Sequence, residues 1–225
     1  MGYREIYASG AEGYQALVAA EDADGNLRPV LADLLATAEA VLEVGAGTGR
    51  VTRILRSLGL HVIATEPAPA MLAVANNSMR DDADVSLCQA EASLMPFTDS
   101  TCDAAIAGWV FGHQIEWQPQ RWRDTISSFI DECDRVTGGG TMIIIETLGT
   151  GSEVPNPPEE LVAYYSWLED TLGFTRHWVR TDYRFTSVDE AARITGEFFG
   201  TDFADSVRTN SWSRIPECTG VWVRH

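Results

Sequence analysis

The stretch VLEVGAGTGR, from Val41 to Arg50, is an apolar run that leads directly into glycines at positions 45, 47 and 49. Glycine has no Cβ, so a strand that ends in such a loop lets the backbone turn sharply and approach a ligand closely. The dinucleotide fingerprint of NAD enzymes needs a small residue at position 50, where this chain has arginine. A phosphate-binding P-loop needs a lysine, and the chain contains none. The loop therefore fits a nucleoside ligand without a phosphate.

A carboxylate follows at the position where such a ligand would place its ribose. Glu66 stands at the end of the second predicted strand, directly after HVIAT, and lies 21 residues after Gly45. A carboxylate there can accept hydrogen bonds from both ribose hydroxyls. One acidic residue is weak evidence by itself, but Glu43 within LEVGAGTG and the stretch QAEASLMPF after the third predicted strand strengthen it.

With these elements the sequence resembles the class I S-adenosylmethionine-dependent methyltransferases, particularly their small-molecule, type 11 branch. The resemblance runs from about residue 3 to the C-terminus and is most specific between residues 41 and 147. It implies an enzyme that uses the cofactor S-adenosyl-L-methionine. It also implies a Rossmann-like α/β fold, with a seven-stranded sheet that is mostly parallel, an antiparallel last strand, and helices on both faces.

The resemblance also assigns cofactor contacts. The residues at matching positions are Tyr14, Glu43, Gly45, Ala46, Gly47, Gly49, Glu66, Pro67, Met71, Glu91, Ala92, Gly108 and Trp109. The glycine loop would pass beneath the methionine and ribose parts of the cofactor, with Glu43 indirectly holding the amino group. Glu66 matches the ribose-binding acid, and Met71 matches a residue near the adenine. Two alternatives stay open: Met71 as ordinary core, and Glu43 as a cap for backbone amides.

The end of the fourth predicted strand and the stretch after the third complete these assignments. Gly108 and Trp109 would line the channel through which the methyl group is delivered. Glu91 and Ala92 stand where the family has an Asp-Ala pair that recognises adenine. Glutamate in place of aspartate leaves the side-chain contact open but keeps the backbone contact.

The composition limits the partners. Acidic residues outnumber basic ones by 33 to 16, every basic residue is arginine, and the net charge is −17. Such a charge repels nucleic acid and anionic lipid, so neither is an expected partner. The chain shows no signal peptide and no apolar run of membrane-spanning length, which predicts a soluble cytoplasmic protein. Four scattered cysteines predict neither a metal site nor a disulfide framework.

Strand-like apolar runs alternate with helical patterns, which predicts one α/β domain over residues 1–225. Its expected parts are an N-terminal helical lid (1–38), a cofactor-binding half (39–150) and an acceptor-side half (151–225). Tyr3, Tyr7 and Tyr14 would belong to the lid. RHWVRTDYRF is predicted as the sixth strand, and CTGVWVRH as the last strand, returning like a hairpin. Asn156 is predicted to cap a helix, and Ser187 with Glu190 to form a capping box.

The acceptor is harder to predict than the cofactor, because the sulfonium is already an excellent leaving group and the enzyme needs little machinery beyond alignment. The motif of enzymes that methylate nucleobase amines is missing from AGWVFGHQIEW, the stretch after the fourth strand. The candidate acceptor-binding residues are Phe111, His113, Trp117 and Tyr164. His113 is also the candidate proton acceptor, with a merely structural role as the alternative.

The favoured function is methyl transfer to an O, N or C atom of a small molecule. A second hypothesis is a protein that binds the cofactor without turnover. A third is a methyltransferase that acts on a protein or RNA. The oligomeric state is not predicted by any feature of the sequence.

Overall fold

The computed structural model describes residues 11–225. Tyr3 and Tyr7, predicted to belong to a lid, lie outside this range. The helices are α1 Ala11–Ala20, α2 Leu27–Leu34, α3 Arg50–Ser57, α4 Pro69–Met79, α5 His113–Trp117, α6 Trp122–Thr137, α7 Glu159–Asp170, α8 Val188–Phe199 and α9 Thr201–Thr209. The strands are β1 Ala40–Val44, β2 His61–Thr65, β3 Val85–Cys88, β4 Ala104–Gly108, β5 Thr141–Thr150, β6 Thr175–Arg180, β7 Tyr183–Arg184, β8 Arg214–Ile215 and β9 Glu217–Arg224.

Seven of these strands form one sheet in the order β3-β2-β1-β4-β5-β9-β6. The pairs from β3 to β5 are parallel, and β9 runs antiparallel to both of its neighbours. This confirms the predicted mostly parallel sheet with an antiparallel last strand. The chain leaves β1 toward β2 on one side and returns to β4 on the other. Ligands bind at such a switch point, in the crevice outside the carboxyl ends of the strands.

Alternation along the strands produces a core on each face of the sheet. In β5, Ile144 packs with Leu42 and helix α6 on one side, whereas Ile143 and Ile145 pack with Leu31 and helices α2 and α3 on the other. Successive side chains of a strand point to opposite faces, so a strand covered on both sides must be apolar throughout. The run MIII of β5 has this character, and the helices on both faces are as predicted.

Three details differ from the sequence predictions. Strand β9 does not return by a hairpin from β6, because β7, α8, α9 and β8 intervene before it inserts between β5 and β6. The predicted sixth strand breaks at residues 181 and 182, and its second part, β7, pairs with β8 in a separate two-stranded sheet. Asn156 does not cap α7, since the residue before the first helical turn is Pro158.

A third apolar cluster lies over the carboxyl edge of the sheet. It joins α1 to α8, α9 and the β7–β8 ribbon through buried residues that include Leu17, Tyr183 and Val207. The start of α8 is fixed by the predicted capping box, in which the Ser187 hydroxyl accepts from the Glu190 amide at 3.1 Å. The Glu190 carboxylate reaches back one residue further than usual, to the amide of Thr186. We call the third apolar cluster, formed by α1, α8, α9 and the β7–β8 ribbon, the cap.

Within residues 11–225, every helix is too short or too polar to span a lipid bilayer.

Candidate active site

The glycine loop after β1 has the bare, left-handed backbone that its sequence predicts. Gly45, Gly47 and Gly49 have φ angles of +69°, +57° and +88°. A Cβ added at Gly45 would lie 2.5 Å from a methyl carbon of Val110, so a side chain there has no room. At Gly47 an added Cβ would meet only the Tyr14 ring, at 3.7 Å. The loop therefore presents open main chain on the side covered by α1.

Glu66 ties the end of β2 to this loop. One carboxylate oxygen accepts from the amide of Gly47 and the other from the amide of Ala68, each at 2.8 Å. The side chain is buried, and burial raises the pKa of Glu66, while the two amide hydrogen bonds oppose that rise. Each carboxylate oxygen keeps lone pairs beyond those used by the amides, so the group can still accept ribose hydroxyls.

Replacing Glu66 with alanine is expected to weaken binding of S-adenosylhomocysteine by roughly tenfold, because hydrogen bonds to a charged group contribute about 1.5 to 3 kcal/mol. Isothermal titration calorimetry measures the affinity. Glu39→Ala is a control, because this exposed glutamate lies just before the first residue of β1, at the end of the strand away from the glycine loop. Unchanged affinity in Glu66→Ala would show that the ribose binds elsewhere.

Polar groups inside the loop are suited to the rest of the cofactor. Glu43 is buried and accepts a hydrogen bond from the Thr52 hydroxyl at 2.6 Å, and its burial raises the pKa of Glu43 to about 7. Thr48 is 1% exposed, and its buried hydroxyl has no hydrogen-bond partner among the described residues. An orphaned buried hydroxyl in a ligand-facing loop is a feature that a bound polar group would satisfy. The loop therefore fits S-adenosylmethionine by its own chemistry.

The residues assigned to the adenine lie at different depths. Glu91 is exposed and close enough to Glu66 for its charge to raise the pKa of that carboxyl. Ala92 is buried beside it, and Pro67 is exposed. Met71 is completely buried. Its position favours a packing role, the alternative that the sequence left open.

Trp109 connects this loop to a neighbouring cavity. It follows Gly108 at the end of β4 with φ at +56°, a conformation that bulky residues rarely adopt. The guanidinium carbon of Arg50 lies 3.5 Å above the centre of the Trp109 ring. Arg50 also forms an ion pair with the buried Glu21 side chain. Arg50, the first residue of α3, thus links Trp109 to Glu21, the residue that follows α1.

A cavity of about 690 Å³ opens between the carboxyl edge of the sheet and the cap. Its walls come from α1, the residues after β4, the end of β5 with the segment that follows it, and the cap. Nearly half of the lining residues are aromatic or acidic. The aromatic residues are Tyr14, Trp109, Tyr183, Phe198, Phe199 and Phe203, and the acidic ones are Glu21, Glu116, Glu146, Glu160 and Glu217.

The four candidate acceptor-binding residues are separated by the structure. His113 lines the cavity, and the ring of Trp117 stacks on it with centroids 5.0 Å apart. Phe111 and Tyr164 do not line the cavity, because both are 0% exposed and pack in the core beneath it. Phe111 contacts the ring of Phe129 there. Of the four, His113 has the most direct access to an acceptor.

His113 is held in its neutral form. Burial lowers the pKa of its imidazole to about 4, although a hydrogen bond with the backbone of Trp109 acts in the opposite direction. At neutral pH the imidazole of His113 is therefore unprotonated. A neutral imidazole can accept a proton from a bound hydroxyl or amine.

Glu146 follows the apolar run of β5 and was not predicted as a site residue. A single acid directly after four isoleucine or methionine residues could have indicated a buried carboxylate at the end of a strand. The Glu146 carboxylate accepts from the Gly112 amide at 2.8 Å and from the Tyr164 hydroxyl at 3.4 Å. Burial raises the pKa of Glu146 to about 8. Arg50 and Glu217 were missed as well, since nothing in their local sequence marks them as cavity residues.

The Glu146→Gln variant is expected to lose part of the pH dependence of stability. The pKa of Glu146 rises from 4.5 to about 8 on folding, so the folded protein holds the extra proton and becomes less stable as pH increases through this window. Glutamine keeps an acceptor for Gly112 without a charge. Relative to wild type, its melting temperature should therefore rise by several degrees between about pH 5 and pH 8. Differential scanning fluorimetry measures the difference, with the exposed Glu116→Gln as control, and parallel pH curves would contradict the assignment.

Comparisons with known proteins agree with this geometry. Residues 42–145 match the sequence profile of the family described as "Methyltransferase domain". An uncharacterized methyltransferase of Staphylococcus carnosus (strain TM300) is 29% identical over 172 residues, 74% of this chain and 76% of that protein. The demethylmenaquinone methyltransferase of Clavibacter sepedonicus is 31% identical over 124 residues, which cover 55% of this chain and 44% of that protein.

A solved structure of an S-adenosylmethionine-dependent methyltransferase from Aquifex aeolicus aligns with a TM-score of 0.55 and 16% identity. The alignment covers 99% of this chain and 93% of that one. At this identity the structural match shows a shared fold.

Proposed function

This chain belongs to the class I S-adenosylmethionine-dependent methyltransferases, and from that premise we propose that its methyl acceptor is a small organic molecule bound in the cavity beside Trp109. The cavity carries this proposal. Its volume of about 690 Å³ lies within the range of about 300 to 1,000 Å³ that is typical of small-molecule sites.

The walls of the cavity also weigh against macromolecular acceptors. Aromatic residues of the cap line one side of the cavity, while His113 and Glu146 line it at the sheet edge. These apolar and acidic walls offer no cationic surface for a phosphate backbone. The net charge of −17 further opposes an RNA acceptor.

The chain's own residues account for cofactor binding. The Thr48 hydroxyl would bind a polar group of S-adenosylmethionine laid along the open main chain of the loop, and Glu66 would accept its ribose hydroxyls. When bound, this cofactor supplies a methyl group on a sulfonium, which leaves readily. Tyr14 faces Gly47 of the loop and lines the cavity, and Trp109 lines the cavity beneath Arg50, so the two rings would border the passage through which the methyl group reaches the acceptor and would exclude water from it.

Proton transfer is assigned to His113. A hydroxyl or amine that gains a methyl group must lose a proton, and a neutral imidazole in the cavity wall can take it. The stacked Trp117 ring holds the imidazole in one orientation. This role makes His113 the catalytic residue of the proposed reaction.

Two measurements test the proposed function. Calorimetry with S-adenosylhomocysteine determines whether the purified chain binds the cofactor product. A screen for S-adenosylhomocysteine release then compares small-molecule acceptors with RNA and with a basic protein. Turnover confined to small molecules supports the proposal. Turnover on RNA or protein alone, or cofactor binding without turnover on any acceptor, would overturn it.

A further inference from the structure

Two carboxylates in the cavity wall, Glu21 and Glu217, each have a buried oxygen without a hydrogen-bond partner among the described residues. The other oxygen of Glu21 is paired with Arg50, whereas Glu217 has no ion-pair partner within the described residues. Glu217, at the start of β9, is 1% exposed and lines the cavity. Its Oε1 accepts from the Thr147 hydroxyl at 2.7 Å, whereas Oε2 is buried and has no hydrogen-bond partner among the described residues. The Thr150 hydroxyl lies near the same carboxylate and favours its charged form, but it makes no bond of ordinary geometry to Oε2. A buried oxygen of this kind calls for a donor.

The nearest cation does not meet this need. Arg50 is committed to Glu21, whose side chain is only 4% exposed, and to the face of Trp109. The charge of Glu21 raises the pKa of Glu217, and the charge of Arg50 lowers the pKa of both acids, so two carboxylates share the field of one guanidinium. The described part of the cavity wall holds no cation besides Arg50. The site therefore carries one negative charge in excess whenever both acids are ionised.

The rest of the wall suits an organic cation. Aromatic faces attract ammonium groups through the ring quadrupole, most strongly when water is excluded. Three phenylalanines of the cap line the cavity together with Tyr14, Trp109 and Tyr183. Carboxylates beside aromatic faces provide a charge-assisted hydrogen bond and an apolar enclosure in one place.

We propose that the cavity recognises its small-molecule ligand through an organic ammonium group, which donates a hydrogen bond to Oε2 of Glu217 while its apolar part packs on the aromatic wall. This inference rests on the proposed function and deepens it. The ammonium group is the recognition element, and the proposal holds whichever atom of the ligand accepts the methyl group.

Protonation of Glu217 agrees with this role. Burial raises the pKa of the Glu217 carboxyl to about 8, and the charge of Glu21 acts in the same direction. At neutral pH the carboxyl therefore keeps a proton until a cation takes its place. Binding of an ammonium ligand should release that proton and become tighter as pH rises from about 6 to 8. The other titratable groups around Glu217 are Glu21, Arg50, Tyr165, Asp182, Tyr183 and Cys218.

The test compares three probes of the same shape and different charge: phenethylamine, 2-phenylethanol and phenylacetate. Each is titrated into the full chain by calorimetry and ligand-observed NMR, with and without S-adenosylhomocysteine. Phenethylamine is expected to bind at least about tenfold more tightly than 2-phenylethanol, and phenylacetate to show no binding. Titrations in two buffers of different ionisation enthalpy should reveal proton release with phenethylamine alone.

Matched variants locate the effect. Glu217→Gln keeps the shape of the side chain and should lose about tenfold in phenethylamine affinity together with the proton release. The exposed Glu160→Gln, at the cavity rim, should bind phenethylamine like wild type. Thermal melts confirm that both variants fold, and if Glu217→Gln does not, the probe series on wild type decides by itself.

The outcomes separate the two proposals. Equal affinity for the amine and the alcohol, no amine binding at any soluble concentration, or unchanged amine binding in Glu217→Gln would overturn the ammonium site. Turnover restricted to neutral or anionic small molecules would do the same while leaving the proposed function intact. If the wild-type chain does not bind S-adenosylhomocysteine, that result would instead contradict the proposed function.

Discussion

The Gly47→Val variant is expected to bind S-adenosylhomocysteine at least about 100-fold more weakly than wild type, a loss of about 2.7 kcal/mol or more. Gly47 has a φ of +57°, which a β-branched residue adopts only with strain. Its amide also donates to Glu66 at 2.8 Å. A valine would shift this amide away from the carboxylate, and its methyl groups would fill the open side of the loop that faces Tyr14.

Calorimetry on Gly47→Val and Gly47→Ala separates these causes. The Cβ of alanine meets Tyr14 at an ordinary 3.7 Å, so that variant should retain more affinity than valine. Gly173→Val is the control for left-handed strain, because Gly173 has a φ of +73° with nothing within 4 Å of an added Cβ and lies outside the loop. If Gly47→Val binds like wild type, the loop is not the cofactor site.

The second large effect is expected on turnover. His113→Gln should lower kcat about 100-fold, the lower end of the range for general acid–base catalysis, without changing the affinity for S-adenosylhomocysteine. Glutamine retains hydrogen-bonding capacity but cannot take up a proton. Because burial holds the pKa of His113 at about 4, the wild-type rate should stay level near neutral pH and fall as pH drops toward 4.

Steady-state kinetics with an acceptor identified in the screen provide this measurement. The control is His177→Gln, an exposed histidine on the edge strand β6. An equal fall in kcat for both variants, or an unchanged kcat in His113→Gln, would contradict a specific role of His113 in proton transfer.

The sheet and its glycine loop could be predicted from the sequence because their signals are local. An apolar run, three spaced glycines and a helical pattern occupy residues 41–58. Each predicts a strand, turn or helix that forms among residues close together in the chain. The same holds for the Ser187 cap, where the partner is three residues away. Local physics is sufficient for features of this kind.

The cavity could not be predicted in the same way. Glu217 and Thr147 are 70 positions apart and meet only because β9 inserts beside β5. Arg50 and Glu21 are 29 positions apart, and their pairing depends on how α1 lies over the sheet edge. Conversely, Phe111 and Tyr164 follow the right strands for acceptor contacts, but neighbouring helices cover them completely.

The central place of β9 has a consequence for synthesis on the ribosome. Strands β1 to β5 can pair as they emerge, but β6 contacts the main sheet through β9 alone. Residues 175–180 therefore wait for residues 217–224, and the pocket wall that contains Glu217 is assembled last. A nascent chain stalled before residue 217 would display the edge of β5 unpaired, an exposed strand of the sort that chaperones shield and that aggregates when unshielded.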